Sequence, residues 1–191
     1  MNPLGIHAPE VDAAMTRRVL GRPPTERGRL VAALRRLAER AQRGAVTIGV
    51  EAVNRYESNL VNTAEQALAL VDEVGAPTSS SISTPYHMNI EETNLADPVR
   101  QCGDRLGYVH IGDSHRGYLG TGTVAFDELF RALAEIGYRG PLTLESFSTA
   151  VISERFATAL AVWCDPWEDG RDLAGHARRF IVDQLSAATK A

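Results

Sequence analysis

The chain has 191 residues, 44% of them hydrophobic and 23% charged, with a net charge of −4. This is the composition of one soluble globular domain with a sizeable core. Its positive charges do not gather in one place and its apolar runs are far too short for a bilayer, which argues against nucleic acid or a membrane as partner. The opening "MNPLGIHAPE" has no basic segment followed by an apolar one, so no signal peptide is read. Cys102 and Cys164 form no CxxC pair and are read as reduced thiols of a cytoplasmic protein.

The first clear helix is "TERGRLVAALRRLAERAQRG". Leu30, Leu34, Leu37, Ala38 and Ala41 fall on one face, Thr25 can cap the start, and Gly44 can end it. "AVTIGVEAV" reads as a strand with Val46, Ile48 and Val50 alternating. "NTAEQALALVDEVG" is the next helix; Thr63 and Gln66 have capping-box spacing and Gly75 stops it. "PTSSSIST" takes the next strand slot. "NLADPVRQCGDRL" is a poorer helix, since Pro98 is acceptable only near its first turn. "GYVHIGD" is a short strand, "AFDELFRALAEIG" a strong helix, and "PLTLESF" another strand. After a loop with Trp and Asp residues, "DLAGHARRFIVDQL" is the last helix.

This alternation of strands and helices means βα units on a parallel sheet, either doubly wound or a barrel. No GxGxxG follows the first strand and there is no P-loop, so a dinucleotide fold has no support. The strands end alike. Glu51 ends the first, followed by Asn54, Arg55 and Glu57. Thr84 ends the second, followed by His87 and Asn89. His110 ends the third, followed by Asp113, His115 and Arg116. Glu145 ends the fourth. The spacings 51→84, 84→110 and 110→145 are 33, 26 and 35 residues, each about one βα repeat. Equivalent points on parallel strands lie side by side, so these residues should gather at the carboxyl edge of the sheet, where barrels keep their active sites. Two carboxylates and an imidazole there could hold a divalent cation. Solvated strand ends stay an open alternative, although Glu51 and Glu145 interrupt apolar stretches where an acid needs a partner. The glycine-rich "GYLGTG" also leaves a phosphate-holding loop open.

The stretches "VEAVNRYESNLVNTAEQALALVDEVG", "YHMNIEE" and "VHIGDSHRGYLGTGTVAFDELFRALAEIGYRGPLTLESF" resemble the ketose 3-epimerases, the D-tagatose and D-psicose epimerases of the xylose isomerase-like barrel superfamily. The likeness runs from about Thr25 to Phe147, with a weaker match in the last helix. It implies part of a (β/α)8 TIM barrel, strands five to eight with their helices, as a single domain over 1–191. Residues 1–24 would be a loop or the end of strand four. It implies a divalent metal, manganese above cobalt or magnesium, on Glu51, His110 and Glu145. Thr84 falls at the position of the family's Asp ligand, so the ion would be weakly bound. Glu51 and Glu145 would be the acid and base, removing and returning a proton on opposite faces of the carbon beside a ketose carbonyl, through an enediolate. Glu57, His87 and Arg116 would bind the sugar. A hydroxypyruvate isomerase-like or an endonuclease IV-like member is the more distant alternative, and a non-catalytic half-barrel is the alternative of another class.

The sequence departs from the family at Thr84, in the serine-rich "PTSSSIST", which keeps only Ile82 of its large apolar residues, and in length, since a barrel needs roughly 250 residues. Four strands cannot close a barrel. The strands of Glu51 and Glu145 should therefore be edges, with Val and Leu on their inner faces. Such edges call for a homo-oligomer or an edge-pairing partner chain.

Overall fold

The computed structural model describes residues 24–76 and 79–190. The loop or strand expected before Pro24 lies outside the described residues. Helix α1 is described over Pro24–Arg43 and is followed by strand β1 (Ile48–Glu51), helix α2 (Ala64–Val74) and strand β2 (Ser79–Ser83). Two short helices, α3 (Pro85–Glu91) and α4 (Ala96–Cys102), precede strand β3 (Leu106–Ile111). Then come α5 (Phe126–Glu135), β4 (Leu142–Leu144), α6 (Glu154–Ala159) and α7 (Gly170–Ala188). The four strands form one parallel sheet in the order β1-β2-β3-β4. The parallel sheet is what the βα repeats predict, and it fits the partial barrel that the resemblance implies.

Alternation along the strands divides the sheet into two faces. On the helix side, Val109 and Ile111 are fully buried, with Leu142 and Leu144 packed against the same core as Leu129, Phe130 and Leu133 of α5. Ile48 and Val50 pack on a second core, with Val31 and Ala38 of α1 and Leu70 of α2. The opposite face carries Gly49, Glu51, Ile82, Tyr108, His110 and Thr143. Here the Tyr108 hydroxyl lies 2.5 Å from Thr143 Oγ1, and the ring of Tyr108 meets that of His110 edge-on. A Cβ at Gly49 would overlap the side chain of Ile82, so glycine lets these neighbouring strands share that face. The inner faces of the edge strands are therefore not lined with Val and Leu. Those side chains turn toward the helices, because strand parity assigns the polar and small residues to the interior.

The serine-rich strand sits in the middle of the sheet, paired with β1 and β3. Ser81 and Ser83 are buried on the helix side, where the Cys102 thiol approaches the Ser81 hydroxyl at 3.6 Å. Burial pushes that thiol up from its ordinary value. Polar side chains are tolerated here because they have partners. Among the described residues, no buried side-chain nitrogen or oxygen is without one.

Local signals were followed with instructive exceptions. Thr63 caps α2, accepting from the Gln66 N–H at 3.3 Å, while the Gln66 side chain accepts from the Asn62 N–H at 2.8 Å. Gly75 ends α2 in the left-handed conformation. In α1, Leu30, Leu34 and Ala38 face the core as expected, while Leu37 is 52% exposed and Val31 is buried, so the stripe shifts at one edge. Thr25 lies within the helix rather than at its cap, and Val46 is exposed before β1 begins. Helices α3 and α6 were not foreseen. Each is a turn or two long, too short for a periodic apolar pattern.

The end of α1 is a Schellman motif. The Val46 N–H donates to Ala41 O at 2.9 Å and the Ala45 N–H to Gln42 O at 3.2 Å. The left-handed residue is Ala45, with φ of 52°, and not Gly44. That conformation costs an alanine roughly 1–2 kcal/mol. Ala45→Gly should therefore stabilise the chain by about 0.5–1 kcal/mol after the extra freedom of glycine in the unfolded chain is subtracted. Urea unfolding should show a raised midpoint with an unchanged slope. A lowered midpoint would contradict the assignment.

Candidate active site at the carboxyl edge of the sheet

Glu51 is the last residue of β1, and Glu145 follows directly after β4. Thr84 follows β2 and is the N-cap of α3. A threonine there usually turns its hydroxyl onto the helix's own N–H groups. Thr84 makes no such bond. Its hydroxyl instead donates to Glu51 Oε1 at 2.5 Å and lies 3.3 Å from His110 Nδ1. His110, on β3, brings Nδ1 to 3.0 Å from the same Glu51 oxygen. Burial alone would raise the Glu51 carboxyl. The hydrogen bonds from His110 and Thr84, with the charge of His110, more than offset this and hold it below the usual carboxylate range. The same bond to Glu51 raises His110 above an ordinary imidazole, against the effect of its own burial.

Glu145 is held differently. Its Oε2 accepts from Arg116 Nη1 at 2.5 Å. Arg116 is 8% exposed and has a left-handed backbone, with φ of 60°. Its guanidinium carbon stands 3.6 Å from the centre of the Tyr86 ring and 5.1 Å from that of Phe147. The aromatic rings beside it and the ion pair to Glu145 hold this cationic group in place. A cavity of about 260 Å³ opens beside it, bordered by Tyr86, Arg116, Phe147 and Trp163.

His87, on α3, is buried, and desolvation lowers it below an ordinary imidazole. Its Nδ1 faces two donors of Asn54: the backbone N–H at 3.1 Å and the side-chain amide at 2.9 Å. The same amide donates to Glu57 Oε1 at 2.9 Å. Arg55 and Glu91 form a two-pronged ion pair that ties this loop to α3. One ligand atom each of Glu51, His87 and Glu145 lies within 4.8 Å of the others.

The structure thus brings Glu51, Thr84 and His110 into one hydrogen-bonded group, and Arg116 onto Glu145. Glu57 and His87 meet through Asn54. The imidazole that gathers with both carboxylates is that of His87, whereas His110 turns toward Glu51. Sequence reasoning missed Phe147 and the roles of Asn54 and Asp113. Asp113, named at the strand end but given no role, is the clearest unused signal, an acid two residues after an apolar strand. It is buried and accepts from the N–H groups of Ser114, Gly120 and Gly122 at 2.7, 2.8 and 3.1 Å. A Cβ at Gly122 would overlap this carboxylate. The amides of "GYLGTG" that could have cradled a phosphate are therefore already committed to a side chain of the protein.

Residues 5–180 match the model of the xylose isomerase-like TIM barrel family, and the chain belongs to that family. It is 51% identical over 155 residues to an L-ribulose 3-epimerase of Methylomonas sp. (strain DH-1), covering 81% of this chain and 54% of that protein. With a D-psicose 3-epimerase of Agrobacterium fabrum it shares 32% identity over 148 residues, 78% of this chain and 48% of that one. A D-allulose 3-epimerase from Methylomonas sp. solved in complex with D-allulose superposes with a TM-score of 0.83 at 49% identity, covering 85% of this chain and 56% of that chain. The chain spans about half the length of the curated relatives it matches. Among the described residues, no helix is long and apolar enough to cross a membrane.

The Glu51–His110 pair carries a pH signature. The lowered Glu51 contributes stability above the unfolded carboxyl value of about 4.3, lost as pH falls through its folded value. The raised His110 contributes stability below the unfolded imidazole value of about 6.5, lost as pH rises through its folded value. In chelator-treated protein the pair should therefore stabilise most between about pH 4.3 and 6.5. Proton NMR should find His110 titrating above free imidazole, and His110→Gln should remove the alkaline loss of thermal stability. An unshifted His110 would contradict the pairing.

Proposed function

We propose that this chain carries the acid–base and metal-holding half of a ketose 3-epimerase site. The carrying observation is that two carboxylates from opposite edges of the sheet, Glu51 and Glu145, converge within 4.8 Å of one another. The identity with ketose 3-epimerases supports the substrate class. Glu51 and Glu145 are the acid and base, one taking the proton from the carbon beside the ketose carbonyl and the other returning one from the far side. Glu57, His87 and Arg116 bind the sugar oxygens. Arg116 also holds the Glu145 carboxylate in place until a sugar arrives.

The donor set fits a divalent cation. Glu51 Oε1 and His110 Nδ1 face each other at 3.0 Å, and both are groups that a transition metal accepts. Glu51, His110 and Glu145 would hold it, manganese first, with cobalt or magnesium next. When bound, the ion supplies positive charge to the carbonyl and its neighbouring hydroxyl. Thr84 contributes a neutral hydroxyl where the family has an acid, so binding is weak. A second reading, a site that binds a ketose without turning it over, is favoured by the Thr84 hydroxyl bonded to Glu51. Two free cysteines support a cytoplasmic location. The outer edges of β1 and β4 support pairing with a second copy or with another chain's strands.

The test is solvent deuterium exchange at carbon 3 of D-allulose or L-ribulose with manganese, on protein sized by light scattering. We expect a species larger than the 20.7 kDa of one chain, slow exchange, and its loss in Glu51→Gln and in Glu145→Gln. Exchange that persists in both variants would sink the acid–base assignment. A monodisperse monomer would remove the assembly. No exchange in the native chain with retained sugar binding would establish the second reading.

Thr84→Asp restores an anion and should tighten manganese at least tenfold by calorimetric titration, about 1.4 kcal/mol. Equal affinities would remove Thr84 from the metal's surroundings.

A further inference from the structure

We propose that Asn54 is a positioning residue that locks His87 in the tautomer with its proton on Nε2, which makes His87 a hydrogen-bond donor to a ligand oxygen and not a metal ligand. The argument is one of donors and acceptors. His87 Nδ1 faces the backbone N–H of Asn54 at 3.1 Å, and a backbone N–H can only donate. A ring nitrogen that accepts carries no proton, so in the neutral imidazole the proton is on Nε2. The side chain of Asn54 repeats the instruction. Its Oδ1 accepts from the Tyr56 N–H at 2.9 Å, which fixes the amide orientation and leaves both Nδ2 protons to donate. One goes to His87 Nδ1 and the other to Glu57 Oε1, each at 2.9 Å. Asn54 is 2% exposed, so no water competes for these bonds.

The amide also separates two groups that would otherwise pair. Glu57 Oε1 stands 3.8 Å from His87 Nδ1, beyond hydrogen-bond distance, with the Asn54 amide bonded to both. Without that amide the carboxylate could close on Nδ1 and draw the ring proton to it. Nε2 would then become an acceptor and the site would lose a donor. With Nδ1 committed to Asn54, Nε2 is the ring nitrogen left to the cluster with Glu51 and Glu145. It could bind a metal there only by giving up its proton. This leaves His110 as the imidazole for an ion. Only the identity of the ligand oxygen, that of a ketose, rests on the function proposed above.

The tautomer can be read without any activity. In the full chain with 15N-labelled histidine, long-range proton–nitrogen NMR should show His87, assigned by its loss in His87→Gln, with a bare Nδ1 and a protonated Nε2. Asn54→Ser should shift Nδ1 toward the protonated form. Glu57→Gln should leave the native pattern in place. A protonated Nδ1 in the native chain would overturn the proposal, whereas an unchanged pattern in Asn54→Ser, which keeps the backbone N–H of residue 54, would remove the side-chain amide from the lock. If Asn54→Ser does not fold, Glu57→Gln still decides. A tautomer change there would mean that the carboxylate sets the proton's place, and an unchanged pattern supports Asn54. A chain that binds neither sugar nor metal would leave these signals as they are, so failure of the functional reading is told apart from failure of this one.

Discussion

The period-two alternation of a parallel sheet governs this structure. Once Val109, Ile111, Leu142 and Leu144 are drawn under the helices, the residues between them are committed to the other face. That places Tyr108, His110 and Thr143 together with Gly49, Glu51 and Ile82. The parallel register then brings the strand ends to one edge. Glu51 pairs in register with Ile82, and Thr84 lies two residues further on the same face, which lets its hydroxyl reach the carboxylate. Slipping any strand by one residue would turn its acid into the helix layer and its aliphatic side chains into the site.

Each ionisable group at that edge is already partnered within the protein. Glu51 is bonded to Thr84 and His110, Glu145 to Arg116, and His87 to Asn54. Half-buried carboxylates would be costly to keep charged without such bonds. The supports behind them are local. The Arg116 guanidinium lies over the Tyr86 ring, with the Phe147 ring also near. Asp113 gathers the glycine-rich loop onto its own carboxylate, and the Arg55–Glu91 pair secures the loop of Asn54 and Glu57.

Thr84 shows why chemistry cannot be transferred by position alone. Where the resemblance led one to expect an acid, it has neither a charge nor an ordinary capping role. It is buried and donates to the neighbouring glutamate, which helps keep that glutamate ionised. The serine-rich strand that precedes it is a second case. By composition it is a poor central strand, yet it pairs along its length with β1 and, past a bulge between Ser81 and Ile82, with β3, and its buried hydroxyls have partners.

Sequence alone determined the βα repeat, the helices with strong periodicity or caps such as α2 and α5, and the four strand ends at Glu51, Thr84, His110 and Glu145. These follow from local rules: apolar period, capping chemistry, and the near-constant length of a βα unit. The tertiary structure decided what those rules do not contain. It buried Val31 rather than Leu37 on α1, because burial depends on which side the sheet lies. It turned Val and Leu outward and polar groups inward, because a strand's two faces are equivalent until something packs on one. It chose the partners of each charged group, and so the proton positions, because hydrogen bonds join residues such as Asn54 and His87 that lie 33 apart in the chain. No pattern within a single element records such a contact.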